Sequence, residues 1–216
     1  CPHYDWPSTV RETVKLGKKL EADDFILKAP EEASLVRAKV IGVIENQAPT
    51  KSLEFDLPTK NGSVQISEGV SYLSLVERHR GTGSVTNGFV SGFGYNGSMA
   101  IASSVAHDSH HMIVVGTDRE MMAAAANRLG EVGGGVTVWK DGSEVALVEL
   151  PIAGLMSDSP ASIVAAKAQE VVSAMADCGC SLNNAYMQHT LLALVVIPEL
   201  RISDLGLVDV NHFELT

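Results

Sequence analysis

The histidines of this chain are concentrated in one stretch. Four of the seven, His79, His107, His110 and His111, fall between residues 76 and 118, beside Glu77, Asp108 and Ser109 and among Gly81, Gly83, Gly88, Gly92, Gly94 and Gly97. A neutral imidazole can move a proton or hydrogen-bond a heterocycle near pH 7. Titratable groups crowded between glycine turns and apolar runs mark a candidate site. In the run His107-Asp108-Ser109-His110-His111, Asp108 can accept from an N–H donor or orient a neighbouring imidazole. The same run also reads as a polar turn in which Asp108 and Ser109 cap local amides. His107 and His110 have metal-ligand chemistry, but no second cluster of suitable type accompanies them, and no metal ligand is assigned in this chain.

Glu77-Arg78-His79-Arg80-Gly81-Thr82-Gly83 is the second constellation. Its glycines would let backbone amides approach an anion. It lacks the Lys-Ser/Thr ending of a P-loop, and no helix follows. The plainer expectation is a glycine turn with Arg78 and Arg80 paired to surface carboxylates, leaving Glu77 and His79 to shape a site. Ser103, Ser104 and Ser109 lack the G-x-S-x-G elbow of a serine hydrolase. Gly88 to Gly94 lacks dinucleotide-fingerprint spacing and reads as a twisted, bulged strand. His189, in an apolar helix, is expected to be a core histidine with its hydrogen bonds satisfied.

These residues need elements to hold them. Strands are expected over 37–45, 52–57, 63–66, 72–77, 86–93, 99–105 and 112–115, with Asn61-Gly62 and Asn96-Gly97 as turns. A helix should start at Thr117, whose spacing to Glu120 is that of a capping box, with Met122, Ala125, Ala126, Leu129 and Val132 on one face. Gly133-Gly134-Gly135 should end it. A hairpin follows around Asp141-Gly142. A second helix is expected with Ser159 as N-cap, Pro160 at its first position and a stripe of Val164, Ala168, Val171, Val172 and Met175. A third starts near Asn184, and short strands close the chain. The reading is an α+β fold: mainly mixed or antiparallel sheet layers with about three packed helices. Residues 1–30 are read as a linker or connector from a preceding domain, and 31–216 as one domain.

The 216 residues carry a formal net charge of −10, with 45% hydrophobic and 5% aromatic residues. Such a surface repels phosphate backbones and anionic membranes, so neither nucleic acid nor membrane is an expected partner. No apolar run approaches the roughly 20 residues of a membrane span. The N-terminus has no signal-peptide pattern and begins with Cys1, so the chain is either processed or a piece of something longer. Three cysteines, with Cys178-Gly-Cys180 too tight for an ordinary zinc knuckle, suit a reducing, cytoplasmic setting.

Taken in order, VERHRGTG (76–83), GFVSGFG (88–94), MAIASSVAHDSHHMIVVGT (99–117), LPIAGLMSD (150–158) and LALVVIPELRISDLGLVDV (192–210) resemble the C-terminal domain of bacterial adenine deaminases, of the amidohydrolase superfamily. The resemblance runs from about Asp24 to Val210. The chain departs in having His111 where the family usually has Asn, and Val195 where Pro is usual.

The resemblance implies hydrolysis of adenine to hypoxanthine and ammonia, within purine salvage. It places the chemistry in a (β/α)8 barrel that this chain does not contain, at a divalent metal pair, manganese or iron, that activates water. The domain in hand would then shape or cover the purine site through His107, Asp108, Ser109, His110, Glu77 and His79. Implied partners are adenine, the barrel domain, either covalent or as a separate chain, and further copies in a homo-oligomer. The alternative is a free-standing, non-catalytic purine-binding or regulatory domain. An independent deaminase would need its own ligands, and neither H-x-E nor P-C-x-x-C of the zinc nucleobase deaminases is present.

Overall fold

A computed structural model describes residues 4–216. Cys1 and the start of the expected connector lie outside them. In chain order the elements are helix α1 (Ser8–Arg11), a 3₁₀ turn (Ala22–Phe25), strands β1 (Leu35–Val43), β2 (Thr50–Lys60), β3 (Ser63–Val64), β4 (Val70–Val76), β5 (Val85–Ser91), β6 (Met99–Ser103) and β7 (Met112–Gly116), helix α2 (Arg119–Val132), strands β8 (Gly135–Lys140) and β9 (Ser143–Glu149), helices α3 (Ala161–Asp177) and α4 (Ala185–Leu191), and strands β10 (Leu200–Ser203), β11 (Gly206–Asp209) and β12 (Glu214–Leu215). The expected α+β architecture is what these elements form. Nine strands make one sheet in the order β3-β2-β1-β5-β4-β7-β6-β8-β9, and β10 to β12 make a second. Every pairing is antiparallel except β1 with β5.

The large sheet is covered on both faces, and its central strands show why. In β6 and β7, Ile101, Ile113 and Val115 face a layer holding α3, α4 and the small sheet. Their neighbours Ala100, Ala102 and Val114 face α2. Strands buried on both sides read as continuous apolar runs rather than as alternation. Small residues on the α2 side let the helix lie close. A Cβ on Gly116 would come within 2.8 Å of Met122 Cγ. Leu20 and Phe25, from the segment before β1, are buried in the same layer as Met122, Ala126 and Leu129.

Two helix starts differ from expectation. The N-cap of α2 is Asp118, not Thr117: Asp118 Oδ1 accepts from the amides of Glu120 (2.8 Å) and Met121 (3.2 Å). Thr117 is drawn away, its hydroxyl donating to the Gly97 carbonyl (2.5 Å) and accepting from the Met99 amide (3.1 Å). At α3, Pro160 is still extended (φ −54°, ψ 140°), so it is the cap position and the helix begins at Ala161. Of the expected stripe only Val171 and Met175 are buried, with Ala174. Val172 is 47% exposed. Apolar residues occur all round this helix, so periodicity alone did not single out its buried face.

The end of α2 agrees with the reading. Gly133 takes φ 80°, and its amide caps the Leu129 carbonyl. The turn of β8 and β9 likewise has Asp141 (φ 49°) and Gly142 (φ 84°), the pair of left-handed residues such a hairpin requires. Replacing Asp118 by Ala removes the cap and should cost about 1 kcal/mol in urea unfolding. Replacing Glu120 by Ala should cost much less.

Candidate functional site

Sheet pairing brings the two histidine-bearing segments together. In the β4–β7 ladder Val76 lies opposite Met112. The residues just beyond, Glu77 to Arg80 and Ser109 to His111, therefore share one end of the sheet. His79 Nε2 lies 2.9 Å from the Ser109 carbonyl. A carbonyl only accepts, so Nε2 carries the proton, and in a neutral His79 Nδ1 is the acceptor. The His79 and His111 rings stand 4.7 Å apart.

Glu77 organises the loop between β4 and β5. Its Oε1 accepts from the amides of His79 (2.5 Å) and Arg80 (2.7 Å), and its Oε2 from the amide and hydroxyl of Thr82 (both 3.0 Å). Burial alone would raise its pKa. The amides of Thr82, Arg80 and His79, with the Thr82 hydroxyl, outweigh burial and hold it at about 2. Its acceptor capacity is thus spent inside the loop, which makes it a positioning group rather than a proton carrier.

Arg78 corrects an expectation. It is 1% exposed and does not pair with a surface carboxylate. Its Nε donates to the His110 carbonyl (2.6 Å), Nη1 to that of Thr13 (3.4 Å) and Nη2 to that of Ala153 (3.3 Å). Burial lowers its pKa, yet a guanidinium stays charged at any pH of interest. Gly154 is required beside it: φ is 71°, and a Cβ there would sit 2.8 Å from Nη1.

The 104–111 loop is pinned at both ends. Ser104 Oγ donates to the Gly154 carbonyl (2.6 Å) and accepts from the Gly135 amide (2.7 Å). The His107 amide donates to the Thr190 carbonyl of α4 (3.0 Å). His110 takes φ 54°, its amide donates to the Ala106 carbonyl (2.7 Å), and its Nδ1 accepts from the Ala106 amide (3.3 Å). Neutral His110 therefore presents Nε2–H as a donor. His107 and His110 meet edge-on at 5.3 Å. Asp108 and Ser109 form the exposed tip. Burial, then the neighbouring charges of His107 and Arg78, lowers the His110 pKa, with Asp108 opposing.

A cavity of about 430 Å³ opens on one side of this end of the sheet, walled by Glu77, His79, Arg80, Thr82, His111 and Asp204. His111 belongs to the histidine run but is not among the six residues expected to shape the site. It is 8% exposed, its Nε2 is 3.8 Å from Asp204 Oδ2, and its Nδ1 is buried without a hydrogen-bond partner. Burial and the nearby His79 lower its pKa against the pull of Asp204 and Glu77. Strand alternation from Ile113 points to His111 lining this side, but Asp204 comes from the β10–β11 turn and had no local signal. The six expected site residues are split. Glu77 and His79 line the cavity, while the His107–His110 turn lies behind it, joined through Ser109 and Arg78. Among the described residues no group of three or more His, Cys, Asp or Glu is arranged to hold a metal ion, and no helix is long and apolar enough to cross a membrane.

His189 is a core residue as expected, but it is not satisfied. It is 0% exposed, and neither ring nitrogen reaches a partner at hydrogen-bond geometry. Burial lowers its pKa to about 4, with the Ile113 backbone opposing weakly.

Both groups tie stability to pH, in separate windows. The unfolded His189 takes up a proton below about pH 6.5 and the folded one only near 4, so stability is complete above 6.5 and falls as pH drops to 4. His189→Leu should flatten that limb and gain about 2 kcal/mol at pH 5. The contribution of Glu77 is complete above pH 4.5 and lost as pH falls from there to 2. Glu77→Gln should cost about 2–3 kcal/mol at pH 7 and remove that acid dependence in urea titrations run at several pH values.

Comparison with known proteins closes the assignment of family. Residues 47–214 match the model of the adenine deaminase C-terminal domain. An adenine deaminase of Ruegeria pomeroyi is 71% identical over 217 residues, covering 99% of this chain and 36% of that protein. One from Roseobacter denitrificans is 70% identical over 214 residues, with 99% and 36% covered. One from Moorella thermoacetica is 41% identical over 216 residues, again with 99% and 36% covered. The chain thus spans about a third of the length of the curated relatives it matches. With the family model covering most of its residues and the similarity continuing to both ends, this chain belongs to the adenine deaminase C-terminal domain family.

Proposed function

We propose that this chain serves as the C-terminal portion of an adenine deaminase, shaping or covering the purine site while a preceding (β/α)8 barrel carries out the hydrolysis. The observation behind this is the match of nearly the whole chain to about a third of the length of proteins named adenine deaminase, one of them 71% identical. Residues 31–216 would be the family domain and residues 1–30 the connector to what precedes it. Adenine, the barrel and further copies of the protein are the proposed partners, and the cytoplasm and purine salvage the proposed setting.

The divalent metal pair of the family, manganese or iron, belongs in this reading to the barrel, where it would supply an activated water. Its ligands would lie in the barrel, and the part proposed for this chain does not run through the metal. What this chain can contribute is hydrogen bonding and exclusion of water. Adenine offers ring-nitrogen acceptors and an exocyclic amine that donates. A neutral His110 presents Nε2–H to a ring nitrogen, and Asp108, at the exposed tip, can accept from the amine. Closing such a loop over a bound purine would strengthen those contacts by removing water. His79, donating to the Ser109 carbonyl, and Arg78, donating to that of His110, would hold the loop for this purpose.

Ammonia release from adenine should appear with manganese or ferrous iron when this chain is combined with the barrel portion, and not with this chain alone. Activity of the chain alone would place the chemistry here and refute the reading. Adenine binding by the isolated chain, with no gain on adding the barrel, would favour the free-standing binding domain. In the complete enzyme Asp108→Ala and His110→Ala should each lower kcat/KM by about tenfold, the cost of one lost hydrogen bond of about 1.4 kcal/mol. Unchanged kcat/KM in both would remove the loop from the purine site.

A further inference from the structure

We infer that the apolar groove between α3, α4 and the 151–158 loop is the seat of the polypeptide that precedes this domain. The inference rests on the reading that the chain is carried at the C-terminal end of a longer protein. The groove has a volume of about 280 Å³ and is lined by Val148, Leu150, Leu155, Ala168, Val172 and Tyr186, among others. Its polar atom, the Tyr186 hydroxyl, is already engaged with Ser103 Oγ at 3.3 Å. Val172 is left 47% exposed and Met156, next to Leu155, 54%. The groove falls below the roughly 300–1,000 Å³ of small-molecule sites and presents no converging donors or acceptors, so it suits one or two apolar side chains.

The path of the first described residues selects the occupant. Ala153 donates its amide to the Val10 carbonyl (2.6 Å), and Arg11 pairs with Asp158 at 2.7 Å. Thr13 gives its carbonyl to Arg78. The N-terminal segment is therefore laid along the 151–158 loop, whose Leu155 forms a wall of the groove. In the relatives about two thirds of the protein lies outside the matched region. Polypeptide arriving at Val10 runs against the loop that walls the groove, and a tethered segment meets it at an effective concentration that a second, free copy does not reach.

The test uses the full-length polypeptide, with the preceding two thirds present and the photo-cross-linking residue p-benzoylphenylalanine in place of Val172. After irradiation, peptide mass spectrometry should find intramolecular cross-links from position 172 to residues that precede this chain. Cross-links joining two copies of this domain at the groove would overturn the inference in favour of self-association. Recovery of the probe without any cross-link would overturn it as well. Adenine deamination is followed on the same protein: turnover without the intramolecular cross-link removes this inference alone, whereas loss of turnover in the unsubstituted full-length protein strikes at the functional reading.

Discussion

A buried guanidinium bonded to three backbone carbonyls holds the histidine-bearing end of this domain together. Arg78 joins Thr13, Ala153 and His110, which are far apart in sequence. Each carbonyl would otherwise need its own partner, and the charge would be costly to bury without all of them. A lysine could not substitute well, because a single ammonium lacks the planar fork that reaches three directions at once. The domain uses the device twice. Arg201, also 1% exposed, donates to the carbonyls of Ile197, Leu191, Ala48 and Pro198, and burial lowers its pKa to about 10. One clamp secures the loop that carries the histidines, and the other secures the end of α4 against the β1–β2 connection.

Around the first clamp two imidazoles, those of His110 and His111, are made harder to charge. Burial and the positive charge of Arg78 both lower the pKa values of His110 and His111. Neighbouring side chains of the same type thus take different roles. His110, turned by its left-handed backbone, folds into the loop and accepts from Ala106. His111, one residue before β7, lies against His79 and faces the cavity with Asp204. Glu77 provides local negative charge but has its oxygens filled by amides, so the end of the sheet is rich in donors with their directions already set.

Much of this was legible in the sequence, for identifiable reasons. Asn61-Gly62 and Asp141-Gly142 are turns because both residues of each pair take positive φ. The central strands were evident as β-branched and alanine-rich runs, and α2 as an apolar face ended by Gly133. The clustering of His79 with Ser109 could be expected only loosely, since it depends on β4 pairing with β7 at one register. The cap was expected at Thr117, and nothing along the chain shows that Gly97 and Met99 claim that threonine and leave the cap to Asp118. The roles of Arg78, Asp204 and Arg201 depend on contacts between distant segments, and no spacing along the chain encodes them. The buried face of α3 was misread because the helix is apolar on more sides than the sheet covers.

The three-way bonding of Arg78 has a consequence for the order in which the domain is built. The 77–84 turn is local, since its bonds to Glu77 close within a hairpin. The histidine loop is not, because its clamp needs segments from the beginning and from beyond the middle of the chain. Contacts of such long sequence separation pay their loop-closure entropy late in folding. The scaffold can therefore stand while this loop is still unset, and the same loop can open locally without unfolding the sheet beneath it.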